Sequence, residues 1–274
     1  MLAGAIGERN VWRYPALQRA AEYISSTFAA SGYIPRRQTY EVSRLPVSNV
    51  EAVLTGSTRP DEIIVVGAHY DTVNDCPGAN DNATGVAATL ELAKRFAAAP
   101  RVRTIKFVAF VNEEPPFFKT PQMGSLVYAT AAKDRGERIA GMLSLETMGC
   151  YSEVKGSQQY PAPIRLLYPD TGNFIGFVAN VKSTRLLLKA RRAFKRRTSF
   201  PLQCAALPDA IPGVGWSDHW SFWQAGYPAL MVTDTAPFRY PWYHTAQDTP
   251  DKIDFDKLAQ VVDGLEAVIA ALAL

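Results

Sequence analysis

The run Ile63-Ile-Val-Val-Gly-Ala68, a helical stretch over residues 84–98, and the run Thr104-Ile-Lys-Phe-Val-Ala-Phe-Val111 together decide the fold. Both runs are short, apolar and rich in β-branched residues, the pattern of strands covered on two faces; parallel neighbours need a crossover between them, usually a helix. They read as a βαβ unit. Toward the N-terminus, residues 15–31 carry Leu17, Ala20, Ala21, Ile24 and Phe28 at helical spacing, with Pro15 near the start and Gly32 just past the end. Residues 38–43 and 49–54 are short strand candidates around Pro46, followed by a turn at 55–60, and suggest an antiparallel start to the sheet. Toward the C-terminus, a helix around 124–133 and a strand around 139–145 continue the alternation, before an irregular stretch at 151–172. Phe255, Leu258, Val262, Leu265, Val268, Ile269 and Leu272 make a closing helix with one apolar stripe. The expectation is one α/β domain over residues 1–274, a three-layer αβα sandwich whose mixed, mostly parallel central sheet has helices on both faces.

Composition narrows the class of function. At 47% hydrophobic the chain has the content of an ordinary globular protein, and no apolar stretch approaches the roughly 20 residues that cross a bilayer, so no membrane span is expected. A net charge of +3 is too mild to imply a nucleic-acid partner. The strongest local bias, at 182–197, sets Arg185, Lys189, Arg192 and Arg196 opposite Leu186, Ala190, Ala193 and Phe194, which is a solvated helix face without aromatics for base stacking. Cys76, Cys150 and Cys204 are odd in number and form no C-x-x-C pair, so free thiols are expected. The N-terminus places Glu8 and Arg9 where a secretory leader would be apolar, so it is not an intact signal peptide. That fits a cytoplasmic protein, or a secreted or periplasmic one whose leader has been removed.

The chemistry-bearing residues gather where the expected strands run out, the place where ligands bind in such sheets. Gly67-Ala-His-Tyr-Asp71, Gly78-Ala-Asn-Asp-Asn-Ala-Thr-Gly85, Asn112-Glu-Glu114 and Leu145-Glu146 occupy these positions, and Tyr243-His-Thr-Ala-Gln-Asp248 lies far along the chain. The chain has three histidines, and two of them, His69 and His244, fall in these segments. Paired divalent cations repel, so a binuclear site needs a bridging carboxylate with further N and O ligands on each ion. Asp81, in a turn rich in Gly and Asn, is the candidate bridge; the plainer alternative is that Asp81, Asn82 or Thr84 caps a helix beginning near Gly85. His69 and Asp71 share a face of an extended segment, so Asp71 can orient the imidazole, although a hydrogen-bonded interior histidine reads the same way. Glu113 and Glu114 point in opposite directions, so one can bind metal while the other carries a proton, unless both are solvated loop residues. Glu146 is either a ligand or a helix-capping carboxylate.

Taken in order, Gly-Ala-His69-Tyr-Asp71-Thr, Gly-Ala-Asn-Asp81-Asn-Ala-Thr-Gly, Asn-Glu113-Glu114, Leu-Glu146, Ser217-Asp218-His219 and His244-Thr-Ala-Gln-Asp248-Thr resemble the M28 zinc peptidases, the group that contains bacterial aminopeptidases. The resemblance implies a zinc-peptidase/phosphorylase-like fold and two zinc ions. By carry-over Asp81 bridges them, Glu114 and His244 complete one, and His69 and Glu146 complete the other. Glu113 is then the general base on a zinc-activated water, Asp71 has a supporting catalytic role, and the substrate is a peptide or small amide, with aminopeptidase action the first expectation. The family often carries aspartate where Glu146 stands. The resemblance also implies a cis peptide between Asp81 and Asn82. Asp218 and His219 are expected to support the site, touch substrate or serve the fold, and are not counted as ligands. Tyr151, Tyr160, Phe174, Trp216, Trp242 and Tyr243 are candidates for lining an apolar pocket. Two rivals share the fold: a glutaminyl cyclase using zinc for acyl transfer, and a receptor-like binding module without catalysis.

Overall fold

The computed structural model describes residues 1–98, 101–161 and 164–274. Among these residues eight strands form one sheet: β1 (Arg36–Val42), β2 (Leu45–Leu54), β3 (Arg59–His69), β4 (Arg103–Phe110), β5 (Arg138–Glu146), β6 (Ile175–Ala179), β7 (Leu202–Ala206) and β8 (Ala229–Thr233). Their order across the sheet is β1-β2-β4-β3-β5-β8-β6-β7. The central block β4-β3-β5-β8 is parallel throughout, while β1, β2 and β4 pair antiparallel, as the short N-terminal strands suggested. Beyond the block, β6 runs antiparallel to β8 and parallel to β7.

Among the described residues six helices cover this sheet: α1 (Tyr14–Ala30), α2 (Thr84–Phe96), α3 (Gly124–Asp134), α4 (Thr184–Arg197), α5 (His219–Ala225) and α6 (Phe255–Leu272). Because side chains alternate along a strand, β3 sends Ile64, Val66 and Ala68 into a large core shared with α1, α2, α4 and α6. Ile63 and Val65 point the other way, into a smaller core with Tyr128 and Ala129 of α3 and Phe222 of α5. Both faces are thereby buried, which is why the β3 run is continuously apolar and the β4 run is interrupted only by Lys106. On α4 the residues turned inward are Leu186, Leu187, Ala190, Ala193 and Phe194, leaving the basic face outward. No helix among the described residues is long and apolar enough to cross a membrane.

Four elements escaped the sequence reading: β6, β7, β8 and α5. Each strand is only five residues long, and α5 only seven. Five residues buried on both faces, as in β8, show neither alternation nor a helical stripe, so periodicity has nothing to detect. The irregular stretch at 151–172 does lack a strand among its described residues, and 162–163 lie outside them. What matters for function is the parting of the connections. From β3 the chain crosses through α2 to β4 on one side, whereas β5 pairs with β3 on the other, which opens a crevice above the carboxyl end of β3.

Candidate metal centre

Each side of that crevice contributes a chemical group because a strand ends there. His69 is the last residue of β3, and Glu146 the last of β5. Glu113 and Glu114 follow β4 by three and four residues. Asp81 lies in the turn before α2, joined to Asn82 through a cis peptide bond, and His244 arrives on the loop after β8. Asn112, Thr147 and His244 all have positive φ, at 59°, 46° and 58°, in the region non-glycine residues avoid. Such conformations collect at functional sites, where surrounding structure holds them.

The five predicted ligands come together. His69 Nε2 lies 3.3 Å from Asp81 Oδ1 and 3.3 Å from Glu146 Oε2; His244 Nε2 lies 3.0 Å from Asp81 Oδ2 and 3.3 Å from Glu114 Oε2. The two oxygens of Asp81 therefore face different imidazoles, and each imidazole has a second carboxylate beside it. Neither Asp81 Oδ1 nor His244 Nε2 meets hydrogen-bond geometry with any neighbour among the described residues, though both are buried atoms. The groups aim at shared points rather than at one another. Zinc bonds of 2.0–2.2 Å at tetrahedral angles would set neighbouring donor atoms about 3.3 to 3.6 Å apart. Three of the four separations sit at that edge length and the fourth is slightly shorter, so the donor set fits a pair of such ions. Glu113 Oε2, at 3.9 Å from His69 Nε2, stands farther off.

Charge points the same way. Asp71, Asp81, Glu113, Glu114 and Glu146 are all buried. Burial raises the pKa of Glu113, Glu114 and Glu146, and neighbouring carboxylates add to the rise. Burial also opposes ionisation of Asp81, yet the imidazoles on either side pull its pKa down. For His244 burial favours the neutral ring, but Asp81 and Glu114 overcome this and carry its pKa up to about 10. Such a concentration of buried carboxylates calls for compensating positive charge, which divalent cations would supply.

The surroundings fix these groups in place. Asn82 Oδ1 accepts from Gly85 N at 3.0 Å and Thr147 N at 3.1 Å, while its Nδ2 donates to Leu145 O at 2.9 Å. Asn82 thus does the capping that sequence alone could equally have given to Asp81. A Cβ on Gly85 would collide with Leu145 O and Asn82 Oδ1, so only glycine lets α2 approach β5 here. Ser217 Oγ donates to Glu146 Oε2 at 2.6 Å. Asp248 accepts from Asn80 N at 2.7 Å, Asp81 N at 3.0 Å and the Tyr240 hydroxyl at 2.7 Å, tying the His244 loop to the Asp81 turn.

Asp71 departs from the sequence expectation in one respect. Its Oδ1 is 3.7 Å from His69 Nδ1, too far for a hydrogen bond, and its two oxygens instead accept the N–H groups of Glu113 and Glu114 at 3.1 Å each. It sits behind the imidazole and also anchors the turn bearing both glutamates. His219 is buried with Nε2 2.8 Å from Val214 O, and burial lowers its pKa to about 4, so its ring is neutral at pH 7. Asp218 is fully buried, and burial raises its pKa to about 7.

Beside the centre lies an apolar cavity of about 820 Å³ including its mouth. Glu146 and Tyr243 stand on its wall with Tyr160, Phe174, Trp216 and Met231. Of the six aromatic candidates, Tyr151 instead packs against Phe200, and Trp242 lies against Tyr240 and Lys252.

Comparison with known proteins agrees with this geometry. A family model described as Peptidase family M28 matches residues 49–269. An uncharacterised protein of Escherichia coli K12, YfbL, is 38% identical over 96% of this chain and 83% of its own length. A probable leucine aminopeptidase of Trichophyton verrucosum is 26% identical over 77% of this chain. Among solved structures, an aminopeptidase from Aneurinibacillus sp. strain AM-1 is 31% identical with a TM-score of 0.61, covering 82% of this chain. The chain spans 54% of the fungal protein and 48% of the Aneurinibacillus one, about half of each. A glutaminyl cyclase from Fimbriiglobus ruber, 22% identical, has a TM-score of 0.73 over 97% of this chain and 90% of its own, a likeness of fold alone.

Proposed function

The chain belongs to peptidase family M28, and on that premise we propose that it is a two-zinc aminopeptidase preferring a bulky apolar residue at the N-terminus of its peptide substrate. The observation that carries the reading is the placement of Asp81, whose two oxygens face His69 and His244 separately, with Glu146 beside one imidazole and Glu114 beside the other. His69, Asp81 and Glu146 would hold one zinc, and Asp81, Glu114 and His244 the other. When bound, the pair lowers the pKa of water toward about 7 and polarises a substrate carbonyl.

Glu113 is the general base. It is buried, stands farther from His69 than the ligand oxygens do, and its raised pKa suits a group that must take a proton and give it back. It removes the proton of the attacking water and delivers it to the leaving amine. Asp71 holds the backbone of Glu113 and Glu114, so base and ligand keep a fixed relation. Ser217 holds Glu146 against its neighbours, which suits a glutamate whose longer arm has more freedom than aspartate. The apolar cavity next to Glu146 would take the side chain of the N-terminal residue, because its walls are aromatic and aliphatic.

The test is a panel of peptides with free and acetylated N-termini, presented to zinc-loaded and chelator-treated protein. Release of single residues from free N-termini only, lost on chelation and greatest for large apolar residues, is the expected outcome. Equal cleavage of both kinds contradicts aminopeptidase action. Ammonia release from an N-terminal glutamine without peptide cleavage would instead identify a cyclase.

A further inference from the structure

Arg9 is fully buried, and its guanidinium is held by backbone carbonyls rather than by a carboxylate. Nε donates to Tyr70 O at 2.5 Å, Nη1 to Pro77 O at 2.6 Å and Gly7 O at 3.1 Å, and Nη2 to Gly78 O at 2.9 Å. A buried cation is costly unless its charge is answered. Burial draws its pKa down to about 10, with Asp71 chiefly, then Cys76, Asp248 and Asp81, opposing the drop, so it remains protonated at neutral pH. The charges that answer it therefore lie in and around the candidate metal centre.

Three of the four carbonyls it holds, those of Tyr70, Pro77 and Gly78, belong to one loop. Tyr70 stands between His69 and Asp71, and Gly78 lies three residues before Asp81, in a left-handed conformation at φ 61°. The backbone reinforces the tie: Arg9 N donates to Thr72 Oγ1 and Thr72 N to Arg9 O, each at 3.1 Å, and Asn10 Nδ2 donates to Thr72 O at 3.2 Å. One side chain thus grips both ends of the segment that leads from His69 to Asp81. A planar guanidinium can do this because its five donors keep fixed directions, whereas an ammonium is a point charge with three donors on a flexible stem. Arg9 lies ahead of residue 49, where the match to the family model begins.

We propose that Arg9 is a positioning residue of the metal centre, a buried cationic strut that sets His69 against Asp81 before metal binds and offsets the charge of the carboxylates. This rests on the two-zinc reading above. Arg9→Lys keeps the charge and loses the fork; Arg9→Met keeps most of the volume and loses both. With the full chain, zinc affinity is measured by competition with a chelator, and melting temperature is recorded with and without zinc. For both variants zinc affinity falls about 10- to 100-fold, the range typical of residues that orient ligands, and the melting-temperature rise on adding zinc shrinks. Arg9→Met falls further than Arg9→Lys.

An equal loss of melting temperature with and without zinc, at unchanged zinc affinity, overturns the proposal and leaves Arg9 a plain folding residue. Wild-type protein gives a second readout should either variant fail to fold: the strut must exist before the metal, so the Arg9 Nε proton exchanges slowly in chelated protein. Fast exchange there also overturns it. Wild-type protein that binds no zinc at all would instead overturn the metal reading on which this one rests.

Discussion

Glu113 and Glu114 are adjacent identical residues that the backbone presents to different neighbours. Both leave the end of β4, both are buried and both have N–H groups bonded to Asp71, yet only Glu114 lies against His244, at 3.3 Å. If Glu113 moves the proton, Glu113→Gln keeps the shape and the zinc content while turnover falls about 10² to 10⁴-fold, the usual worth of general acid-base catalysis. Metal analysis alongside single-turnover rates checks this, and unchanged turnover would remove the role. At this scale the sequence disclosed residue types and their faces but not distances. The spacing of His69 and Asp71 was legible; the 3.7 Å gap between them, and the preference of Asp71 for two backbone N–H groups, were not. Ser217 reaches Glu146 across 71 residues of chain, and a lone serine carries no local signal of such a contact. Arg9 was visible only as a charge near the N-terminus.

Among the elements, the β3-α2-β4 unit was plain in the sequence because two short, β-branched apolar runs flanked a helical one. The turn entering α2 was legible only in part. Its Gly, Asn and Asp residues announced a tight approach, but which of them capped the helix and which faced the crevice depended on contacts with β5 and with the His244 loop. Asp248 joins those parts by accepting the N–H groups of both Asn80 and Asp81. Asp248→Asn would turn one acceptor into a donor against these buried N–H groups, at about 1 to 3 kcal/mol for an unsatisfied one. Melting temperature should drop, and zinc titration should show weaker binding at both sites, because Asp81 would serve both. Loss at one site alone would contradict a shared Asp81. The short strands β6 to β8 stayed hidden for a different reason: their place in the sheet is set by neighbours, with no periodic pattern of their own.

At the level of the whole molecule, the sheet order opens a crevice above β3, and strand ends from both sides fill it with acids and imidazoles whose charge bound cations would offset. The αβα layering was legible from the alternation of elements; the partnership of residues 69 and 244 was expected only from the family resemblance, since spacing carries no sign of the long return of the chain past β8. The family match adds ancestry to this geometry, and on the proposed function the apolar cavity beside Glu146 would take a substrate side chain. The most direct test is anomalous diffraction at the zinc edge from crystals grown with zinc. The account predicts two peaks about 3.5 to 4 Å apart with Asp81 between them, one beside His69 and Glu146, the other beside Glu114 and His244. A single peak, or two peaks that do not share Asp81, would contradict it.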